Sequence, residues 1–294
     1  MGAPTNDHLE ELRRDGVTVV HGLFGPQEVA ALQEAAAKTF PSVETVLANP
    51  TDPALGLDPV GLAYRTFPYK TGPLNLVPFN QDLLDFAQTA FEGQTPFLTQ
   101  SMLRATYPLP NSADQKLHRD YTDNGLLYPS DDPAFESLAV LVYLTDVGPD
   151  NAPLFVVPEG YGQDRPGLPR ERPPDLDPDL NAHEAPVLAE AGSVVLYTHN
   201  AWHRGSRYAG TTGWRVVMHV VLRPAGCEWL SFTAWGRFFE HRGAIACMEQ
   251  LTPRQRTALG VPPPGHRYWT ASTIAGVNAR YPNMDMEPYR QLVR

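Results

Sequence analysis

The pattern of apolar and polar positions changes character about a third of the way along the chain. Before residue 95 the apolar residues recur at helical spacing, in short blocks. Leu9 and Leu12 share one face of a predicted helix over 6–15 that Gly16 stops. The apolar run 17–20 reads as a buried strand. Pro26, a residue favoured at the first helical position, opens a second helix through Lys38 with Val29, Leu32 and Ala36 on one side. A third helix over 81–91 turns Leu84 and Ala87 inward. Between them, prolines recur every few residues from 41 to 78 and predict irregular structure.

From about residue 97 the signal becomes β. Runs rich in β-branched and aromatic residues occupy 97–107, 138–145, 154–157, 193–197, 214–223 and 228–233, divided by Gly, Pro, Asp and Asn. Helices gathered first and strands after predict a mainly β fold. The expected core is a jelly roll of about eight strands with flanking helices, rather than a βαβ arrangement. The polar, proline-rich segment 159–186 is expected as a long loop, either a lid or a surface excursion. Another helix is predicted near 253–259, before the proline-rich stretch 262–269. The whole reads as one domain over 1–294: a helical N-terminal region over 1–95, a jelly-roll core over about 96–235 and a C-terminal extension over 236–294.

Composition narrows the class. A net charge of -10 argues against nucleic acid or an anionic membrane as partner, since both reward basic surfaces. The two cysteines, Cys227 and Cys247, form no framework or metal-ligand pair, which fits a reducing compartment. There is no basic-then-apolar leader and no long apolar run, so a cytoplasmic protein is expected.

The candidate chemistry lies in three residues. His118 and Asp120 are two apart, so on a strand both side chains point the same way while Arg119 faces elsewhere. His203, in Trp202-His203-Arg204-Gly205-Ser206, can reach the same ion only from a neighbouring strand. Two imidazoles and one carboxylate on one face of a metal leave the other face open, the ligand set of non-haem Fe(II) oxygenases. Such a centre has room for a chelating 2-oxo acid and O2. Arg215, twelve residues after His203, can grip the far carboxylate of 2-oxoglutarate through a two-pronged contact. His199 is a rival distal ligand, but it lacks the Gly-Ser sequel. A zinc-binding His199–His203 helical pair is disfavoured by the strand-like run before it. His219 is expected to be a packed core histidine.

On these residues the chain resembles the phytanoyl-CoA dioxygenase (PhyH-like) family. The likeness runs through Asp15-Gly16-Val17-Thr18-Val19-Val20, Gly22-Leu23-Phe24, the His118-Arg119-Asp120 dyad, and Tyr143-Leu144-Thr145-Asp146-Val147. It continues through Asn151 to Pro158 and through His203-x-Gly-Ser with Arg215. The resemblance implies a double-stranded β-helix (jelly-roll, cupin-like), with Fe(II), 2-oxoglutarate and O2 as cofactors and succinate and CO2 as products. It also implies a further co-substrate contact on the strand before the dyad, for which Gln100 is the match. The chain departs from the family in its central hairpin, where Ala152-Pro153 follows Asn151 and Glu159-Gly160-Tyr161 follows Pro158. That departure puts the lid and substrate pocket in doubt, not the metal site. Asp120 disfavours halogenation, because related halogenases carry a small residue there so that chloride can bind.

The expected reaction is oxidation, most simply hydroxylation, of a small metabolite or natural-product intermediate. Candidate substrate contacts are Arg65, Tyr69 and Lys70 from the irregular segment, and Trp235, Arg237 and His241 after the last strong strand; for each one singly, packing or a solvated charge is the preferred reading. Two other classes compete. A non-catalytic jelly-roll binder would have no use for a complete triad. A zinc hydrolase built on the same three residues would leave Arg215 idle.

Overall fold

A computed structural model describes residues 2–120, 133–162, 171–227, 242–266 and 268–291. Two antiparallel sheets form its centre. The strands, in chain order, are β1 (Val17–Val20), β2 (Leu62–Thr66), β3 (Pro96–Thr106), β4 (Leu117–His118), β5 (Leu138–Tyr143), β6 (Leu154–Val156), β7 (Glu171–Arg172), β8 (Ala185–Val187), β9 (Val194–Thr198), β10 (His203–Gly205) and β11 (Arg215–Pro224). The larger sheet has six strands in the order β1-β9-β5-β11-β3-β2, and the smaller has five in the order β7-β4-β10-β6-β8.

Side-chain alternation explains why β5, β9 and β11 are apolar on both faces. Leu138, Val140, Val142, Leu196, Met218 and Val220 point outward into one large apolar cluster with the helices. Ala139, Leu141, Tyr143, Val195, Tyr197 and Val217 point the other way and pack with Leu154 and Val156 of the smaller sheet. The helices α1 (Asn6–Asp15), α2 (Pro26–Ala37), α3 (Val43–Ala48) and α4 (Gln81–Ala90) cover the outer face. Gly16 ends α1 in the left-handed conformation at φ 72°, which a residue with Cβ adopts at a cost. Buried Leu9, Leu12, Leu32, Ala36, Leu84 and Ala87 supply their inward faces, as the spacing predicts.

The structure departs from the sequence expectations in several places. The segment 41–78 is not irregular throughout, because it holds α3 and the edge strand β2. The smaller sheet apart from β6 was not legible, since strands of two or three residues have no measurable period. The expected loop 159–186 carries short helices at Glu159–Gly162 and Pro178–Ala182 and the strands β7 and β8. Three further helices, Arg242–Gln250, Ala271–Arg280 and Glu287–Arg290, accompany the expected one at Pro253–Thr257. The predicted strand 228–233, together with Trp235, Arg237 and His241, lies outside the described residues. Neither cysteine is in a disulfide. No helix among the described residues is long and apolar enough to cross a membrane.

Candidate active site

The site forms where the inner faces of the two sheets meet. β10 pairs with β4 in a register that sets His203 directly opposite His118. Their rings are 4.6 Å apart, and Asp120 follows just past the end of β4. Arg119 points away as its odd position requires, with its guanidinium 4.6 Å over the Trp202 ring and donating to the Gly162 carbonyl at 3.0 Å.

Hydrogen bonding fixes which nitrogens face the centre. His118 Nδ1 lies 2.8 Å from the Lys116 carbonyl and His203 Nδ1 lies 3.0 Å from that of Ala201. A carbonyl only accepts, so each Nδ1 carries the proton and donates, and each Nε2 is left for a ligand. His118 Nε2 is 3.7 Å from Asp120 Oδ1, and His203 Nε2 is 3.4 Å from Asp120 Oδ2. One ligand atom from each residue falls within 4.8 Å of the others. Metal–ligand bonds of about 2.0–2.2 Å imply donor separations of roughly 3 Å, so the cluster contracts only slightly around an ion. Burial alone would raise the Asp120 pKa, but His203 outweighs it and holds the carboxyl well below the usual range. Burial works against the charged form of His203, but Asp120 raises its pKa above the ordinary imidazole value.

The triad opens onto a cavity of about 260 Å³, lined also by Gln100, Arg104, Gln115, Tyr197, Arg215 and His219, with Leu141, Leu154 and Val217 as its apolar wall. The register of the larger sheet brings these together: Val221 lies opposite Gln100 and Val217 opposite Arg104, and Arg215, Val217 and His219 alternate onto one face of β11. Arg215 is buried, its guanidinium carbon 5.7 Å over the Tyr143 ring. Burial weighs against its charge, partly offset by Tyr143. Arg104 Nε, Arg215 Nε and His219 Nδ1 are buried with no hydrogen-bond partner in the described structure. Orphaned guanidinium N–H groups around one space are what a bound anion would satisfy.

The cavity therefore gathers Gln100 and Arg215 with the triad. His219 is buried as expected, yet it belongs to the cavity wall, 3.2 Å from the Tyr197 hydroxyl. Burial pushes its pKa down to about 3, and that of His199 to about 4, so both are neutral imidazoles. His199 is outside the ligand cluster. The substrate candidates Arg65, Tyr69 and Lys70 do not line the cavity. Arg65 is exposed over Phe40, Lys70 is exposed, and Tyr69 is buried against Ser101 at 2.8 Å. Arg104 and Tyr197 were missed by sequence reading. The signal that finds Arg104 is its alternation with Gln100 on one face of β3.

The profile of the phytanoyl-CoA dioxygenase (PhyH) family matches residues 12–216. The chain belongs to that family. No curated relative matches it by sequence. Among solved structures it is similar to SnoK, a non-haem alpha-ketoglutarate-dependent carbocyclase of nogalamycin biosynthesis. The TM-score is 0.58 at 18% identity, covering 82% of this chain and 92% of that one. The epimerase SnoN, solved with Fe3+, alpha-ketoglutarate and nogalamycin RO, matches at TM-score 0.56 and 17% identity, covering 75% and 83%. AviO1 from Streptomyces viridochromogenes Tue57 matches at 0.53 and 19%, covering 77% and 97%. At such identities these neighbours share the fold.

Proposed function

We propose that the chain is an Fe(II)- and 2-oxoglutarate-dependent dioxygenase that oxidises, most simply hydroxylates, a small metabolite or natural-product intermediate. The observation that carries this reading is the convergence of His118, Asp120 and His203 beside a buried Arg215 that lacks a carboxylate partner among the described residues. The two facing sheets are read as a double-stranded β-helix, and the chain as a single oxygenase domain.

In this reading His118, Asp120 and His203 hold the iron, and Arg215 pairs with the distal carboxylate of 2-oxoglutarate. Gln100 donates to the same co-substrate from β3. Iron bound there supplies, with O2, the oxidising power that converts 2-oxoglutarate to succinate and CO2 and oxidises a C–H bond of the substrate. Leu141, Leu154 and Val217 form the apolar part of the wall beside the triad. The Asp120 carboxylate occupies the position a halide would need, which disfavours halogenation. The SnoK carbocyclase and the SnoN epimerase are fold neighbours, so cyclisation and epimerisation are the outcomes to compare with hydroxylation.

Protein reconstituted anaerobically with Fe(II) is expected to bind one metal per chain and to release succinate from 2-oxoglutarate when O2 is admitted. His118→Ala and Asp120→Ala proteins are expected to lose both. Succinate release that survives in these variants contradicts the proposed centre. A zinc hydrolase or a non-catalytic binder releases none under any metal.

A further inference from the structure

The cavity holds two guanidinium groups, and one co-substrate tail accounts for only one of them. Elsewhere the fold supplies partners for its less exposed arginines. Arg204 meets Glu184 at 2.6 Å and Asp114 at 3.1 Å, Arg172 meets Asp177 at 3.4 Å, and Arg256 donates to the Met248 carbonyl at 3.0 Å. The Arg104 side chain meets no carboxylate and makes no hydrogen bond among the described residues, and its Nε is buried. Its contact is the Tyr64 ring, 5.8 Å from the guanidinium carbon. Tyr64, directly opposite on β2, is itself held by Asp58 through a hydroxyl hydrogen bond of 2.9 Å. The other Asp58 oxygen accepts the Val60 and Leu62 amides. That carboxylate is thus engaged, and it props the ring beneath Arg104 rather than neutralising the cation.

Position separates the two cations. Arg215 begins β11, with Thr106 opposite, whereas Arg104 lies opposite Val217, displaced along β3 and one strand nearer the β2 edge of the sheet. Charge counting makes the same distinction. One divalent metal, Asp120, a 2-oxoglutarate dianion and Arg215 together come out neutral. Asp120 is the only carboxylate among the described residues that line the cavity, so no further negative group there answers Arg104. A buried N–H donor with no partner is costly, and an anion entering beside the part-buried Arg104 satisfies its orphaned Nε.

We propose that Arg104 anchors a carboxylate of the substrate, so that the molecule oxidised here is a small organic acid rather than a neutral or cationic compound. This rests on the dioxygenase reading, in which Arg215 holds the co-substrate. The oxidised carbon then lies between the anchored acid and the triad, and Arg104 sets which C–H bond is presented.

The test separates the two arginines. In calorimetric titrations of Mn(II)-loaded protein, Arg215→Gln is expected to weaken 2-oxoglutarate binding roughly 30-fold, while Arg104→Gln changes it less than about threefold. The second anion is then probed with acetate, which needs no knowledge of substrate shape, and with acetamide as its neutral counterpart. Each is added to protein saturated with Mn(II) and 2-oxoglutarate, and thermal unfolding is followed. Acetate, not acetamide, is expected to stabilise the wild type. The effect should vanish in Arg104→Gln and persist in Arg104→Lys, which keeps the charge and also controls for folding.

Three results overturn the proposal: no acetate effect in the wild type, an equal effect in Arg104→Gln, or loss of 2-oxoglutarate binding in Arg104→Gln as large as in Arg215→Gln. If Arg215→Gln binds 2-oxoglutarate normally, the co-substrate reading fails instead, and the acetate arm still decides the role of Arg104.

Discussion

At the scale of single residues, the centre is built by hydrogen bonds that leave specific atoms unspent. The Lys116 and Ala201 carbonyls take one nitrogen of each histidine, so the remaining nitrogen is aimed before any ion arrives. Asp120→Asn keeps the shape but removes the charge that complements a cation. Its affinity for Mn(II) is expected to fall by about 100-fold or more, measured by calorimetry. His219 offers a pH test with a definite sign. Its folded pKa lies near 3, against 6.5 for the unperturbed side chain. As pH falls below 6.5 the unfolded chain takes up a proton that the folded chain refuses until about pH 3, so stability is lost towards acid. Compared with His219→Gln, the wild type should lose about 1.4 kcal/mol more per pH unit between pH 6 and 4, read from urea unfolding without metal. Equal slopes in the two proteins would contradict a neutral buried His219. The triad and Arg215 were legible because their spacing fits strand geometry and a known chemistry. Arg104 was not, since a lone arginine in an alternating strand reads the same whether it faces water or a cavity. Arg65, Tyr69 and Lys70 show the converse, cations and an aromatic ring whose sequence neighbourhood says nothing about what they face.

At the scale of elements, what positions the site is the pairing of long strands with very short ones. β5, β9 and β11 were readable because apolar residues on both faces mark a sheet covered on both sides, and β3 because its run is rich in β-branched and aromatic residues. β4, β7, β8 and β10 were not, because two or three residues carry no period, and pairing partners rather than composition make them strands. The edge strand β2 was hidden among prolines. The entry to β9 depends on backbone that only glycine supplies. Gly192 sits at φ 89°, and a Cβ there would lie 2.4 Å from the Phe24 carbonyl oxygen, which belongs to the segment leading into α2. Gly192→Ala is expected to cost about 2 kcal/mol or more and to lower Tm by roughly 5 °C, measured by calorimetry. An unchanged Tm would show that this close approach is not required.

At the scale of the whole molecule, the larger sheet is a partition. Its outer face is sealed by helices into the main apolar core, and its inner face carries polar residues that line the cavity. That division lets a buried Arg215 and a part-buried Arg104 share one cavity inside a protein of net charge -10, whose overall acidity gave no hint of a cationic cavity. It also couples ligand binding to stability, because the triad joins β4 and β10 while Arg215 belongs to the opposite sheet. Mn(II) and 2-oxoglutarate at a hundredfold excess over Kd should together add at least about 2.7 kcal/mol to unfolding. The addition should be absent in His203→Ala.

Metal and co-substrate sharing one site is the central claim, and a crystal structure of the anaerobic Mn(II)–2-oxoglutarate complex tests it most directly. Anomalous scattering is expected to place one metal at bonding distance from Nε2 of His118, Nε2 of His203 and an Asp120 oxygen, with the distal carboxylate of the co-substrate on Arg215. A metal bound elsewhere, or a co-substrate whose tail turns away from Arg215, contradicts it.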